Sequence, residues 1–303
     1  MANTKEIKQK IDSVANLKKI TKAMEMVARS KMKKATDAAV ATRTYAELAL
    51  ELLVNLSTED HRKNPYLSEQ EGKKILVLHI ASNKGLCGGY NVSLLRALNK
   101  YFEKRNEEIN FVTVGRYAYR HALKLADGSL ERFDDFSDNI EPEETNGLVD
   151  KVLETYKSGE YKETFIVYTN FVSIFSQEVV IRKLLPLSEE SLESAIKEAG
   201  AEGERTEDKK DKAARNRALY LYEPNEEDIL DFVVPRLIKV QIYQALLEAN
   251  ASEHSARMVA MKSATENADK RGEELTLQFN KARQEGITKE ILEIASGAEA
   301  LSQ

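Results

Sequence analysis

The sequence predicts a central α/β domain combined with a long antiparallel α-helical coiled coil, which the N- and C-terminal helices form. Both ends of the chain lack helix-breaking residues over long stretches, and each has an apolar stripe with alternating three- and four-residue steps. The middle instead alternates short β-rich apolar runs with amphipathic segments, a pattern typical of sheets covered by helices. The predicted domains are therefore an N-terminal helix at 1–60, an α/β domain at 72–223 and a C-terminal helix at 224–303.

The N-terminal helix contains neither Gly nor Pro from Lys5 to Leu56. At 1.5 Å per residue it would span roughly 80 Å. Its predicted stripe consists of Ile7, Ile11, Val14, Leu17, Ile20, Met24 and Val27, followed by Ala35, Ala38, Thr42, Tyr45, Ala49, Leu52 and Leu56.

The C-terminal helix has Pro235 as its only proline between 226 and 302 and would be roughly 110 Å long. A repeat of 3.5 residues indicates a left-handed coiled-coil seam. Its members are Val240, Gln244, Leu247, Ala251, His254, Met258, Met261, Thr265, Ala268, Gly272, Leu275, Phe279 and Ala282. Because both helices join the same middle segment, antiparallel pairing is the simplest way to bury both stripes.

The tip of the C-terminal helix should extend beyond the start of the chain by roughly 30 Å. Its apolar stripe consists of Ile287, Ile291, Ile294, Ala298 and Leu301. Such a stripe requires either a hydrophobic socket in another protein or a fold back onto its own domain. Small and polar residues in the seam also favour a helix pair that partner subunits surround.

The middle segment predicts a Rossmann-like α/β domain with a mainly parallel sheet. Predicted strands lie at 74–80, 109–114, 164–169, 176–185 and 217–222, and predicted helices lie at 94–102, 116–125 and 143–156. The segment 198–212 is charged and nearly free of large apolar residues, which indicates a surface loop or disorder.

The glycine-rich loop at 82–91 reads SNKGLCGGYN and is the one candidate for a nucleotide site. Its spacing matches neither a dinucleotide fingerprint nor a P-loop, so a tight strand-to-helix connection is the favoured interpretation. His79, His121 and His254 are too dispersed in sequence to predict a catalytic base beside a nucleophile. Cys87 is interpreted as a small buried thiol, and no metal or cofactor is expected.

Charge is unevenly distributed although the net charge is only −5. Residues 1–45 carry eleven Lys or Arg against four Asp or Glu, whereas residues from 226 onward carry nine against fourteen. The basic end is a solvated helix face, a surface for an acidic protein or a nucleic-acid arm. No aromatic residue precedes Tyr45, which disfavours nucleic acid. Without a predicted signal peptide or membrane span, a cytoplasmic location is expected.

Three segments resemble the gamma subunit of F-type ATP synthases, the central rotor shaft. These are IKQKIDSVANLKKITKAMEMVARSKMKKA at 7–35, the glycine-rich loop, and ASEHSARMVAMKSATENA with FNKARQEGITKEILEIASGAEAL at 251–301. They occur in the family's order, and the matching architecture covers essentially the whole chain. Asn83 and Lys84 replace the family's usual Asp-Arg, which leaves the interactions of that Asp in doubt. The paired cysteines of the redox-regulated chloroplast form are absent.

The resemblance implies a non-catalytic shaft, one copy per complex, that rotates inside a ring of alpha and beta subunits. Its foot would stand on the membrane ring of c subunits beside the epsilon subunit, at the cytoplasmic face of a bacterial cell membrane. Ion flow through the membrane ring would turn the shaft and change the conformation of the catalytic sites in beta. No nucleic-acid partner is expected.

The resemblance also assigns contact residues. Positions matching contacts to the beta subunit are Arg283, Gln284, Thr288, Glu290, Met24 and Arg257, the last two beside an acidic segment of beta. Positions matching contacts to the membrane ring or epsilon are Tyr220, Tyr222 and Glu223. Two other hypotheses remain, an α/β nucleotide-binding protein with a helical oligomerisation arm and a coiled-coil adaptor with nucleic-acid affinity.

Overall fold

A computed structural model describes residues 2–56, 64–68, 70–103, 105–125, 129–134, 136–137, 139–187 and 226–301. The chain divides into two compact units. Unit 1 comprises residues 1–28 and 257–303, and unit 2 comprises residues 29–256. The N-terminal helix α1 (Ala2–Leu56) and the C-terminal helix α5 (Glu226–Leu301) each contribute residues to both units.

Unit 2 contains a five-stranded sheet in the order β3-β2-β1-β4-β5. The strands are β1 (Lys74–Ile80), β2 (Glu108–Val114), β3 (Ser129–Phe133), β4 (Tyr161–Phe171) and β5 (Gln177–Leu185). Strands β1 to β4 are parallel, and β5 pairs antiparallel with β4. The carboxyl ends of β1, β2 and β4 therefore lie at one edge of the sheet.

Helices cover both faces of this sheet, which explains why β1 is a continuous apolar run rather than an alternating one. Ile75 and Val77 pack with α2 (Tyr90–Phe102) and α3 (Arg116–Leu125). Leu76 and Leu78 pack on the opposite face with α4 (Asn146–Lys157) and the first part of α5. A short 3-10 helix (Pro142–Thr145) precedes α4.

In unit 1, α1 and α5 run antiparallel. The hydroxyls of Thr21 and Thr265 are 2.9 Å apart, and Lys18 Nζ lies 2.5 Å from the carboxylate of Asp269. Further along, the Cγ1 atom of Val14 is 3.9 Å from the position of a Cβ on Gly272. As the α1 numbers fall, the α5 numbers rise, which establishes the direction of pairing.

The stripe predicted on α5 is confirmed from Met261 to Ala282, where its members are buried or half-buried and most residues between them are exposed. From Val240 to Met261 every residue is buried or half-buried, so burial does not single out the stripe there. The stripe predicted on α1 is wrong between residues 17 and 27. Leu17, Ile20 and Val27 are exposed by 52%, 57% and 55%. The residues that are buried or half-buried with regular 4-3 spacing are Ile7, Ile11, Val14, Lys18, Thr21, Glu25, Ala28, Met32, Ala35, Ala39 and Thr42. One straight helix cannot bury both Leu17 and Ile20 and their neighbours Lys18 and Thr21, so the stripe with unbroken spacing determines its rotation.

Most predicted elements of the α/β domain are confirmed, with ends shifted by a few residues. Strand β3 was not predicted, because its sequence SLERF has only two large apolar residues and lies at the sheet edge. The predicted strand at 217–222 and the charged segment 198–212 lie outside the described residues, as do the side chains from Tyr45 to Leu56. Among the described helices, none is long and apolar enough to cross a membrane.

Candidate partner-binding surfaces

The glycine-rich loop joins β1 to α2 through an internal hydrogen-bond network. The Asn91 amide donates to Ser82 Oγ at 2.7 Å and to Cys87 Sγ at 3.3 Å, and the Ser82 backbone N–H donates to Asn91 Oδ1 at 3.3 Å. All three side chains are buried. Gly88 and Leu86 have positive φ values of 58° and 62°, which the tight turn requires. These contacts agree with a strand-to-helix connection and with a buried thiol at Cys87.

Asn83 connects this loop to the neighbouring crossover at the same sheet edge. Its Oδ1 accepts the backbone N–H of Arg116 at 3.0 Å, as an Asp oxygen also could. Its Nδ2 donates to the carbonyl of Asp134 at 2.7 Å, which an ionised Asp could not do. The side chain at this departure from the family motif is therefore fully engaged within the chain.

His79 and His121 are 42 residues apart in the sequence but are in direct contact in the structure. Their Nε2 and Nδ1 atoms are 3.1 Å apart, and their rings stack in the interior of unit 2. Burial lowers the pKa of His79 to about 3, with a further contribution from His121. Burial, and then the charge of Lys124, lowers the pKa of His121 to about 4. His79 lies on β1 and His121 on α3, so their contact depends on how the helix packs on the sheet. The spacing of the two residues in the sequence gives no signal for it.

No metal site emerges from the described part of the chain, since it contains no group of three or more His, Cys, Asp or Glu that could bind an ion. The pair of histidines lacks a third ligand of these types, and its two nitrogens face each other.

The distal part of α5 brings four of the predicted contact residues to one exposed segment. Arg283, Gln284, Thr288 and Glu290 are all exposed. The Thr288 hydroxyl donates to the carbonyl of Gln284 at 2.9 Å, one helical turn away. Exposed residues on a helix surface are free to meet a partner without rearrangement of the fold.

Large apolar side chains are exposed on the same segment, as the predicted stripe required. Ile287, Ile291 and Ile294 are 49%, 60% and 72% exposed, and Leu292 beside them is 63% exposed. A helix that buried this stripe on its own unit would show low values at these positions. The side chains of Ala298 and Leu301 lie outside the described residues.

A second exposed apolar stripe lies on α1, where Leu17, Ile20 and Val27 point away from the contacts with α5. Met24, the predicted contact residue between them, is half-buried. The signal that separates the two stripes is continuity. The observed stripe keeps its 4-3 spacing from Ile7 to Thr42, whereas the predicted one is interrupted between Val27 and Ala35.

The remaining predicted contacts are less accessible or are not described. Arg257, assigned a contact to beta by the resemblance, is only 8% exposed in the chain by itself. Tyr220, Tyr222 and Glu223 lie outside the described residues.

Comparison with known proteins identifies the class. The family model described as ATP synthase matches residues 3–301, which spans nearly the whole chain. By this match, the chain belongs to the ATP synthase family.

Individual relatives give the particular subunit. The ATP synthase gamma chain of Trichlorobacter lovleyi is 36% identical, with 99% of both chains covered. That of Polynucleobacter asymbioticus is 38% identical over 99% of this chain and 100% of the relative. The chain belongs to the ATP synthase gamma chain family.

Solved structures share the fold. A chain of the Euglena gracilis mitochondrial ATP synthase rotor has a TM-score of 0.62 at 21% identity, with 94% of this chain and 99% of that chain covered. A chain from the central stalk and c-ring of the Tetrahymena thermophila mitochondrial enzyme has a TM-score of 0.55 at 25% identity, covering 81% and 99%.

Proposed function

We propose that this chain is the central rotor of an ATP synthase and that its paired terminal helices form an antiparallel coiled coil that turns inside a ring of alpha and beta subunits. The observation that carries the proposal is the exposed apolar segment of α5, from Ile287 to Ile294, on a chain of the gamma family. A sleeve of partner subunits would remove this surface from water, at roughly 25 cal/mol per Å² of apolar area buried.

Contacts to beta near the tip would come from Arg283, Gln284, Thr288 and Glu290. These side chains offer a guanidinium, an amide, a hydroxyl and a carboxylate on an exposed helix. Rotation requires contacts that break and re-form at each step. Exposed polar contacts suit this requirement, because each is worth no more than about 1 kcal/mol.

Contacts to beta lower on the shaft would involve Met24 and the apolar stripe beside it. Exposed lysines flank this stripe; Lys19, Lys22, Lys33 and Lys34 are examples. An apolar strip between cations fits a partner segment that combines apolar residues with carboxylates. Arg257 would contribute to these contacts only after its buried side chain became accessible.

The foot of the rotor would include Tyr220, Tyr222 and Glu223 and would contact epsilon and the membrane ring of c subunits. The chain would then be a peripheral subunit at the cytoplasmic face of a bacterial membrane. Catalysis would reside in beta, and this chain would convert rotation, driven by ion flow, into conformational change at the beta sites.

The test is assembly of the purified chain with alpha and beta subunits. The expected complex contains one copy of this chain and hydrolyses ATP with rotation of a probe attached to α4, whereas the isolated chain neither hydrolyses ATP nor binds it. Failure of the chain to enter an alpha–beta complex would disprove the proposal. Micromolar ATP or NAD binding by the chain alone would instead support the nucleotide-binding alternative.

A further inference from the structure

We propose that four hydrogen bonds between α5 and the rest of unit 2 act as a torsional clamp, which prevents this helix from turning about its own axis within the domain. We call them the polar clamp. They are Gln244 Nε2 to Ala39 O at 3.3 Å, Tyr90 OH to Ala249 O at 3.3 Å, Ser252 Oγ to Thr169 O at 3.0 Å and Ser255 Oγ to Ile174 O at 2.7 Å.

The partners of α5 in this clamp belong to four different elements. Ala39 is in α1, Tyr90 begins α2, Thr169 is in β4 and Ile174 is in the turn between β4 and β5. At 100° per residue, the positions 244, 249, 252 and 255 are spread over roughly 140° of the helix circumference. Rotation of α5 in either direction would therefore lengthen several of these bonds.

Three of the bonds lie in the interior, where water cannot replace them easily, and the bond from Ser255 to the exposed turn at Ile174 is part-buried. Ser252 and Ser255 are fully buried, and Tyr90, Gln244 and Ala249 are less than 10% exposed. A buried carbonyl or hydroxyl that loses its partner incurs a desolvation penalty. The clamp therefore resists displacement more strongly than the same bonds would on a wet surface.

The turn to which Ser255 donates its hydrogen bond is held by hydrogen bonds of its own. Gln177 Nε2 donates to the carbonyls of Ser173 and Ile174 at 3.2 and 3.0 Å, and lies 3.4 Å from Ser255 Oγ. The backbones of Ser173 and Ser176 also exchange hydrogen bonds of 2.9 and 3.3 Å. Ser255 is thus attached to a turn that its own contacts stiffen.

Apolar packing alone would resist rotation less well, because the hydrophobic effect is non-directional. Leu237, Ile238, Ile242 and Leu246 are among the α5 residues that pack in the core of the domain. A rotation of about 10° moves an atom about 5 Å from the helix axis by nearly 1 Å. This shift takes a hydrogen bond beyond its useful length while leaving most apolar contacts in place.

The inference rests on the proposed rotor function, because only a rotor needs torque transmitted between its α/β domain and the helix that leaves it. Helix α5 continues from Ala256 into unit 1, so Ser252 and Ser255 are the last clamp residues before that boundary. Under this proposal they are positioning residues that act through the orientation of α5.

The experiment measures torsional stiffness in the assembled alpha–beta–gamma complex. The ring is immobilised through beta, and a probe is attached to Glu154→Cys, an exposed position on α4, while the native Cys87 is buried. Angular fluctuation of the resting probe is compared between this parent and the Ser252→Ala, Ser255→Ala double variant. The matched control is Ser263→Ala, the same change at an exposed position of α5.

Loss of the two serine bonds should increase the angular variance about two-fold, and the melting temperature of the complex should fall slightly, because two carbonyls lose their hydrogen-bond donors. The control should match the parent. An unchanged variance in the folded double variant would overturn the clamp. If the double variant does not assemble, Ser255→Ala alone is measured against the same criterion, because its bond reaches only the turn. Absence of a complex with the unaltered chain would instead contradict the proposed function.

Discussion

His79 Nε2 and His121 Nδ1 lie 3.1 Å apart in the interior of the α/β domain, with their rings stacked. Only one hydrogen can occupy the space between these nitrogens, so one ring donates and the other accepts. A proton added to the accepting nitrogen would make both nitrogens N–H donors, and the two N–H groups would then point at each other inside a packed core. The pair is therefore stable only while both rings are neutral.

Acid should destabilise the domain through this pair. Unfolded histidines bind protons below a pKa of about 6.5, whereas the folded pKa values are about 3 for His79 and about 4 for His121. The free energy of unfolding should therefore have its full value above pH 6.5 and fall as the pH decreases towards 4. The expected fall is about 1.4 kcal/mol per pH unit for each ring. Urea unfolding at several pH values measures this slope. The His79→Leu, His121→Leu variant should have a shallower slope; an unchanged slope would contradict the assignment.

The corrected seam predicts opposite effects for two isoleucines of α1. Ile20→Ser should change the unfolding free energy of the isolated chain by less than about 0.5 kcal/mol, because Ile20 is 57% exposed. Ile11→Ser should cost at least about 1 kcal/mol, because Ile11 is half-buried in the seam. Chemical denaturation of both variants measures the two changes in unfolding free energy. A larger loss of unfolding free energy for Ile20→Ser would support the stripe predicted from sequence.

In the assembled complex, Ile20→Ser should weaken binding of the chain to the alpha and beta subunits. Ala15→Ser, at an exposed position of α1 outside the apolar stripe, is the control for introducing a serine on this helix. Titration of labelled chain into alpha and beta subunits measures the affinity. Equal affinities for Ile20→Ser and the unaltered chain would show that the outer stripe does not contact the ring.

Coupling should be sensitive to the exposed polar residues near the tip. Arg283→Ala and Gln284→Leu should each lower ATP synthesis while leaving the melting temperature of the chain nearly unchanged, because neither side chain is buried in the chain. Lys281→Ala is a matched exposed control on the same turn. A large fall in melting temperature with normal synthesis would show instead that these residues support the fold.

The apolar tip should tolerate single changes better than the polar contacts do. Ile294→Ser removes one of several exposed apolar side chains, and apolar contacts in a socket are distributed and non-directional. Its effect on synthesis should be smaller than that of Gln284→Leu. Removal of the last few residues should likewise be mild. Activity measured side by side in one reconstituted system tests this order.

Local signals in the sequence predicted much of the fold. Strand β1 is a compact apolar run, and α5 has an uninterrupted 3.5-residue repeat, so both follow from neighbouring residues alone. Strand β3 has no such signal, because it gains its place by pairing with β2 at the sheet edge. The contact between His79 and His121 likewise requires the packing of α3 on β1.

The rotation of α1 shows a different limit. Leu17 and Ile20 are more apolar than Lys18 and Thr21, yet the polar pair occupies the seam. Local hydrophobicity favours the wrong stripe, and only the continuation through Ala28, Met32 and Ala35 determines the observed rotation. Exposure on a helix does not by itself indicate a partner. Contact residues such as Arg283 could therefore be proposed only through the family resemblance.

The small residues of the seam in unit 1 bear on how wide a ring of subunits around the helices would have to be. Ala28, Ala268 and Gly272 occupy seam positions, and a Cβ on Gly272 would lie 3.9 Å from Val14 Cγ1, at ordinary van der Waals distance. Helix axes approach to about 8 Å when the residues between them are small, rather than about 10 Å. A thinner helix pair fits inside a narrower ring of subunits. A large side chain at Gly272 would then act by pushing the two helices apart until the pair no longer fitted.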